Sequence, residues 1–219
     1  MDRSAIEAGY SIYSPASLKI YNFLVHGFSN RWLWRCPTKD LVDLHSKNVA
    51  SHHLDIGVAT GIFLDQAIWP VKRPKIVLMD PNSHCLEFAA KRLARYSPKT
   101  LEADVFEPLP TGPRFKSVSL CYLLHCLPGA MNEKAPIVFK NVSKVMEKGG
   151  TLFGATILQG DAPRNFAAQR LMNIYNKKGV FSNSQDTFQD LEKALKGTFK
   201  DVKIERRGCV ALFEAKKKG

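Results

Sequence analysis

The chain has 219 residues, of which 45% are hydrophobic and 24% charged, so it can bury the core of one domain and is not disordered throughout. The formal net charge of +12 favours anionic molecules, but the basic residues form neither an arginine-rich block nor a stripe interleaved with aromatics. We therefore do not expect a nucleic-acid partner. The five cysteines are irregularly spaced without a Cys-x-x-Cys pair, which argues against a disulfide framework and a bound metal.

The chain shows no targeting or membrane segment. Residues Met1 to Gly9 lack the apolar core of a signal peptide. The most apolar stretch, Val118 to Leu127, has only about half the length of a membrane-spanning helix. We expect a cytoplasmic protein that makes no membrane contact.

Residues 1–48 are predicted to form a helical cap ahead of the main fold. Ser14 as N-cap and Pro15 in the first turn predict a helix over Pro15 to Phe28. Tyr10 and Tyr13 precede it in a loop-like stretch. Aromatic faces favour cations and planar molecules, so these tyrosines are the best candidates for a lid, with Tyr13 over a cofactor and Tyr10 over a substrate. Most other aromatics of this segment fit the core of the cap.

Two arginines follow the predicted helix. Arg31 and Arg35 are one helical turn apart, and their guanidinium groups are suited to a substrate carboxylate. The alternative is a pair of solvated side chains. We keep Arg31 as a substrate-binding candidate.

From residue 49 onward, apolar runs alternate with amphipathic segments, which predicts a parallel sheet covered by helices on both faces. The predicted elements are strand 49–56, a helix from 62–68, strand 75–80, helix 83–96, strands 100–104 and 117–123, helix 134–147, strand 151–158, helices 165–177 and 187–196, and strands 199–206 and 209–215. The last two strands, joined by Arg207-Gly208, are predicted to pair as a hairpin. No linker or repeat interrupts the pattern, so we predict a single domain over residues 1–219, with its core in 49–219.

The strongest motif is a strand that runs into a glycine turn and then a helix, Asp55-Ile56-Gly57-Val58-Ala59-Thr60-Gly61. Glycines at such a turn let the backbone approach a ligand closely. A dinucleotide site has Gly-x-Gly-x-x-Gly around a pyrophosphate, but here Ala59 and Ile62 replace the second and third glycines. The spacing argues against a nicotinamide oxidoreductase and suits a cofactor without phosphate.

Two further acids end the next two predicted strands. Asp80 lies about 20 residues beyond the glycine turn, where a carboxylate can accept hydrogen bonds from both ribose hydroxyls. Asp104 can accept from the exocyclic amine of adenine, with Val105 packed on the ring. As alternatives, Asp80 could cap the following helix, and Asp104 could be an ordinary acid at a strand end.

These residues resemble the class I S-adenosylmethionine-dependent methyltransferases, over about residues 50–158 by motif and in the tail by pattern. The resemblance implies a Rossmann-like, mostly parallel seven-stranded sheet of order 3-2-1-4-5-7-6, with S-adenosylmethionine as cofactor. The segment Tyr122 to Leu127 resembles the same region of small-molecule members and lacks the Asn/Asp-Pro-Pro-Tyr type of motif. By position, the resemblance places the methionine part on Asp55, Gly57, Ala59 (a departure from the commonest pattern) and Gly61, the ribose on Asp80, and the adenine on Asp104 and Val105.

His125 is the candidate catalytic base. It lies just past the fourth predicted strand, at the edge where ligands bind, and a neutral imidazole can take a proton from a hydroxyl or carboxylic acid. It also serves as a candidate for substrate contact. A structural histidine, or one that only positions the cofactor, is equally compatible with the sequence.

The predicted function is methyl transfer to a small-molecule metabolite, at a hydroxyl or carboxylate oxygen, and the basic charge makes an acidic acceptor a candidate. The alternatives left open are an RNA or protein methyltransferase and a scaffold that binds the cofactor without turnover. The sequence does not indicate the oligomeric state or the identity of the methyl acceptor.

Overall fold

The computed structural model describes residues 29–110 and 115–219, which contain one seven-stranded sheet of order β3-β2-β1-β4-β5-β7-β6. Neighbouring strands from β3 through β5 are parallel, and β7 is antiparallel to both β5 and β6. The predicted fold class and sheet order are confirmed. The strands are β1 (His52–Ile56), β2 (Lys75–Asp80), β3 (Lys99–Glu102), β4 (Phe115–Cys121), β5 (Met146–Ile157), β6 (Phe199–Arg207) and β7 (Val210–Lys217).

Six α-helices of the described residues accompany the sheet. Helix α1 packs against α2 and β5, α3 against β2 and β3, and α6 against α4 and β6. No helix within 29–110 and 115–219 is long and apolar enough to cross a membrane. The helices are α1 (Thr38–Asn48), α2 (Ile62–Gln66), α3 (Ser83–Arg92), α4 (Met131–Val145), α5 (Phe166–Lys177) and α6 (Phe188–Thr198).

The sheet interior explains the apolar runs of the sequence. In β4 every residue except Lys116 is buried, as expected for a central strand covered on both faces. The edge strand β6 instead alternates between exposed and partly buried positions after Phe199. The hydrophobic core therefore lies around the middle strands, and their carboxyl ends open at one edge of the sheet.

Some predicted boundaries differ from the observed ones. The predicted helix 134–147 ends at Val145, and β5 begins at once. Register between β4 and β5 shifts between the pairs Phe115↔Met146 and Ser117↔Thr151. The extra residues of β5, including Gly149 with φ 72°, form this irregularity, which accommodates a glycine inside the strand.

The described part of the predicted cap begins at residue 29. A short π-helical turn covers 29–33 and leads to α1, a helix that we did not predict. The predicted helix Pro15 to Phe28, with Tyr10 and Tyr13 before it, lies outside the described residues.

Candidate functional site

A cavity that is partly open to solvent lies at the carboxyl ends of β1, β2, β3 and β4. This is the edge where parallel α/β sheets bind ligands. The predicted cofactor residues that the structure describes all line it: Asp55, Gly57, Ala59, Gly61, Asp80, Asp104 and Val105.

The glycine turn forms the floor of this cavity. Gly57, Ala59 and Gly61 have φ angles of 76°, 44° and 68°, which is the left-handed region that favours glycine. A Cβ on Gly57 would lie 2.9 Å from the Leu123 side chain, and one on Gly61 would lie 3.1 Å from Cβ of Ala89 in α3. The turn and its packing therefore favour glycine at both positions, and the close approach of a ligand stays a prediction.

Asp80 connects the end of β2 to the glycine turn. Its Oδ2 accepts the Val58 N–H at 3.1 Å, and its Oδ1 accepts the Asn82 N–H at 2.9 Å. The cap of α3 is Asn82, whose Oδ1 accepts the His84 N–H at 2.9 Å, so Asp80 does not cap that helix. Burial raises the pKa of Asp80 to about 6. The Ala59 N–H also forms a hydrogen bond to this carboxylate, so at least one of its roughly four acceptor positions remains for a ligand hydroxyl.

Asp55 is the second buried acid of the cavity. Its Oδ1 accepts a short hydrogen bond from the Ser119 hydroxyl of β4. Burial raises the pKa of Asp55 to about 6, the Ser119 hydrogen bond lowers it, and the nearby charge of Asp80 raises it. Two carboxylates in one largely apolar cavity favour a ligand that carries positive charge.

The loop after β3 carries Asp104 and Val105. Asp104 lies two residues beyond the strand, and its Oδ1 accepts the Phe106 N–H at 2.9 Å. The side-chain amide of Asn141 donates to the carbonyls of Val105, Phe106 and Glu107 at 3.1, 2.9 and 3.2 Å. Sequence reasoning missed Asn141, although an amide among the apolar residues of a helix was a usable signal.

His125 lies in a 3-10 turn, Leu124–Cys126, that follows β4 closely. Its side chain is only 3% exposed and is not among the residues lining the cavity. Its Nδ1 accepts the Ile157 N–H at 3.3 Å, and its ring packs edge-on against Phe181 with 4.5 Å between centroids. Burial, with a smaller effect of the Lys134 charge, lowers the pKa of His125 to about 3. The imidazole is therefore neutral at physiological pH.

Tyr122 also lines the cavity, although the sequence predicted no role for it. It has a φ of 59°, and its N–H donates to the Ala155 carbonyl at 2.7 Å. Its ring contacts those of Phe63 and His125, with centroids 6.3 and 5.7 Å apart. A tyrosine held in this backbone region at a ligand cavity is under strain that the surrounding contacts must support.

The two arginines considered for substrate binding, Arg31 and Arg35, do not line the cavity. Arg31 is exposed, its guanidinium carbon lies 5.7 Å from the Trp32 ring centroid, and it does not line the cavity. Arg35 is exposed as well and follows the π-helical turn with a φ of 55°. Tyr10 and Tyr13 lie outside the described residues. The substrate-binding role of these side chains stays a prediction.

Known proteins are similar to this chain over nearly its whole length. No protein-family model matches it. It is 37% identical over 216 residues to the demethylluteothin O-methyltransferase of Streptomyces thioluteus, covering 98% of this chain and 93% of that protein. It is also 37% identical over 214 residues to the physcion biosynthesis cluster O-methyltransferase of Aspergillus chevalieri, covering 96% of each.

Solved structures share the fold at low sequence identity. The N-methyltransferase NodS of Bradyrhizobium japonicum, crystallised with S-adenosylhomocysteine, superposes with a TM-score of 0.63 at 14% identity. The match covers 92% of this chain and 97% of that one. At this identity the likeness is one of architecture.

Proposed function

Because the chain belongs to the class I S-adenosylmethionine-dependent methyltransferases, we propose that it transfers the cofactor's methyl group to a hydroxyl oxygen of a small molecule. The observation that carries this proposal is the single cavity lined by Asp55, Asp80 and Asp104 at the ends of three successive strands. The preference for oxygen comes from the two relatives, which are both named O-methyltransferases.

The cavity residues fit the chemistry of S-adenosylmethionine. We infer that Asp80 accepts from the ribose hydroxyls with its remaining acceptor capacity, and that Asp104 accepts from the adenine amine; both line the cavity, as does the buried Val105. Asp55 offers a carboxylate to the ammonium of the methionine part. The glycine turn has left-handed backbone at Gly57, Ala59 and Gly61, and none of these three residues carries a side chain larger than a methyl group into the cavity.

The cofactor, when bound, supplies an electrophilic methyl group on a sulfonium sulfur. The acids at the strand ends hold and orient it, which is most of what a reactive methyl donor requires from the protein. Beyond them the cavity wall is apolar and partly aromatic, with Phe63, Tyr122 and Leu127. These side chains exclude water and favour an aromatic or apolar acceptor, whose hydroxyl then meets the methyl group without competing solvent.

The acceptor class and the location of the protein are also proposals. A small molecule is the partner, and the net charge of +12 would draw in an acidic one. We also propose a cytoplasmic enzyme. RNA or protein methylation, and cofactor binding without turnover, remain the competing functions, and the experiment below distinguishes them.

The proposal is tested by incubating the purified protein with S-adenosylmethionine carrying a labelled methyl group. Acceptors are demethylluteothin, after the Streptomyces relative, and matched aromatic compounds bearing a hydroxyl, a carboxyl or an amine on one ring system. We expect the label on a hydroxyl oxygen, identified by mass spectrometry. Label on the amine alone, or on added RNA or protein, would contradict the proposal. Binding of S-adenosylhomocysteine without turnover of any acceptor would support a scaffold.

A general-base role for His125 predicts a particular pH profile. Since burial lowers its pKa to about 3, the imidazole is already neutral at pH 5, and the methyl-transfer rate should show no inflection near 6.5 from this group. If His125 takes the proton, His125→Asn should slow transfer to a hydroxyl by roughly 10²–10⁴. Transfer to a carboxylate, which has no proton to lose, should be affected far less.

Rate measurements between pH 5 and 9 on both acceptor types check this expectation. An inflection near 6.5 that disappears in His125→Asn would show that the ring is more accessible than its contacts with Phe181 and Ile157 indicate. Equal defects on both acceptors, together with lower stability, would show that His125 only supports the turn.

A further inference from the structure

A line of hydrogen bonds runs through the interior from the backbone to Asp55. The Ala50 N–H donates to Ser117 Oγ at 2.9 Å, and that hydroxyl lies 2.8 Å from His53 Nδ1. On the other side of the ring, His53 Nε2 lies 3.0 Å from Ser119 Oγ, which donates to Asp55 Oδ1. The strand register explains the order, because β1 pairs with β4 at His53↔Ser117 and Asp55↔Ser119.

The direction of every hydrogen bond in this line follows from its two ends. Ionised Asp55 can only accept, so the proton of Ser119 points to it and Ser119 must accept from His53 Nε2–H. His53 is then the tautomer with a bare Nδ1, which accepts the proton of Ser117. Ser117 in turn accepts from the Ala50 N–H, which can only donate. No donor or acceptor in the line is left in conflict.

The line lies in the protein interior. The side chains of His53, Ser117 and Ser119 are fully buried. The His53 ring stacks on Phe153, with centroids 5.7 Å apart, and meets the Trp69 ring edge-on at 5.6 Å. Burial lowers the pKa of His53 well below its ordinary value, which keeps the ring neutral and its single proton in place. In such surroundings a hydrogen bond to an ionised group is strong.

We propose that His53 is a positioning residue for cofactor binding: through Ser119 it holds the Asp55 carboxylate ionised and aimed at the ammonium of the methionine part. The inference rests on the proposed function, since it requires that cofactor in the cavity. None of the three side chains His53, Ser117 and Ser119 lines the cavity, so the line acts through Asp55 alone.

A merely structural role would give a different result. In that case, loss of the line would destabilise the fold and weaken every ligand of the cavity to a similar degree. The positioning role instead affects only ligands that carry the ammonium. S-adenosylhomocysteine has it, whereas 5′-methylthioadenosine has the same adenine and ribose without it, so the pair separates the two roles.

The experiment measures the affinity of both compounds by calorimetry for the wild type, Ser119→Ala, His53→Leu and His53→Gln. Glutamine can place an N–H near the position of Nε2, so it is the conservative variant. We expect Ser119→Ala, which loses a hydrogen bond to the charged Asp55, to bind S-adenosylhomocysteine about tenfold more weakly. His53→Leu leaves the Ser119 hydroxyl without its donor and should weaken binding in the same direction. Binding of 5′-methylthioadenosine should stay within about twofold, and His53→Gln should recover most of the loss.

Equal weakening of both compounds, or no weakening in folded variants, would overturn the proposal. Circular dichroism and thermal melting show which variants are folded. Ser119→Ala removes only one buried oxygen, so it serves as the test if His53→Leu does not fold. Failure of the wild type to bind S-adenosylhomocysteine at all would instead refute the proposed function.

Discussion

Replacement of Asp80 by alanine is expected to weaken binding of S-adenosylhomocysteine by about ten- to hundredfold. Hydrogen bonds to a charged group contribute roughly 1.5–3 kcal/mol, and we propose that Asp80, which lines the cavity, accepts from the ribose hydroxyls. The same carboxylate also accepts the Val58 N–H, so its loss loosens the glycine turn as well. Calorimetric titration of the folded variant with S-adenosylhomocysteine measures the effect.

Asn82→Ala is the matched control. Asn82 caps α3 through the His84 N–H and does not line the cavity, so its replacement should cost about 1 kcal/mol of stability. The affinity for S-adenosylhomocysteine should not change. The opposite pattern, in which Asp80→Ala melts earlier but binds as tightly as the wild type, would show that Asp80 supports the turn and does not bind the ribose.

The pH dependence of the same titration gives a second readout. Burial raises the pKa values of Asp55 and Asp80 to about 6, and hydroxyl and ammonium donors bind the ionised form more tightly than the protonated one. The affinity should therefore be constant above about pH 7 and fall as the pH drops below about 6, by up to about tenfold per pH unit for each group. Asp80→Asn should show a shallower fall, since only Asp55 then titrates.

The sequence was sufficient to predict the sheet and the acids at its edge. Every parallel strand of such a sheet ends at the same edge, so Asp55 and Asp80, at or beside the ends of buried apolar runs, had to meet there. Asp104, two residues past β3, reaches the same cavity. Local pattern predicted that these acids meet, whereas the sheet order and the part of the cofactor assigned to each acid came from the resemblance to the methyltransferase family.

The rest depends on contacts between distant parts of the chain. His53 and Ser119 are 66 residues apart, and only the register of β1 against β4 brings them together. The orientation of His125 is likewise decided by the turn after β4, which packs its ring against Phe181 from another part of the chain. The hydrophobic pattern of one segment carries no information about contacts between distant segments. Neither the His53–Ser119 contact nor the His125–Phe181 contact could therefore be predicted.

A buried ion pair outside the predicted site gives the largest expected effect on stability. The Lys134 ammonium in α4 lies 2.9 Å from Asp186 Oδ2, with both side chains almost completely buried. It also donates to the carbonyls of Leu127 and Ser182 at 3.1 and 2.5 Å, so the ammonium is held by one ion pair and two carbonyl groups. Leu127 lines the cavity, and Ser182 donates its N–H to the His125 carbonyl at 2.7 Å. The pair therefore ties the cavity wall to the loop before α6.

We expect Lys134→Met to lower the free energy of unfolding by about 3–5 kcal/mol, because it leaves the Asp186 carboxylate buried without its cation. Lys140→Met in the same helix, at an exposed position, should change it by less than about 0.5 kcal/mol. Urea unfolding of the two variants and the wild type gives the comparison. Adding Asp186→Leu to Lys134→Met should recover most of the loss, since an apolar pair of similar size no longer requires a buried charge.

The sign of the pH dependence separates this mechanism from a simple packing defect. Burial raises the pKa of Asp186 to about 6 even beside Lys134, and loss of the cation raises it further. The folded variant then binds a proton more tightly than the unfolded chain, so its deficit should shrink as the pH falls from about 8 to about 5. A cavity left by a shorter or misfitting side chain has no reason to change over this range. A deficit independent of pH, or one no larger than that of Lys140→Met, would therefore mean that the ion pair does not hold this wall of the cavity.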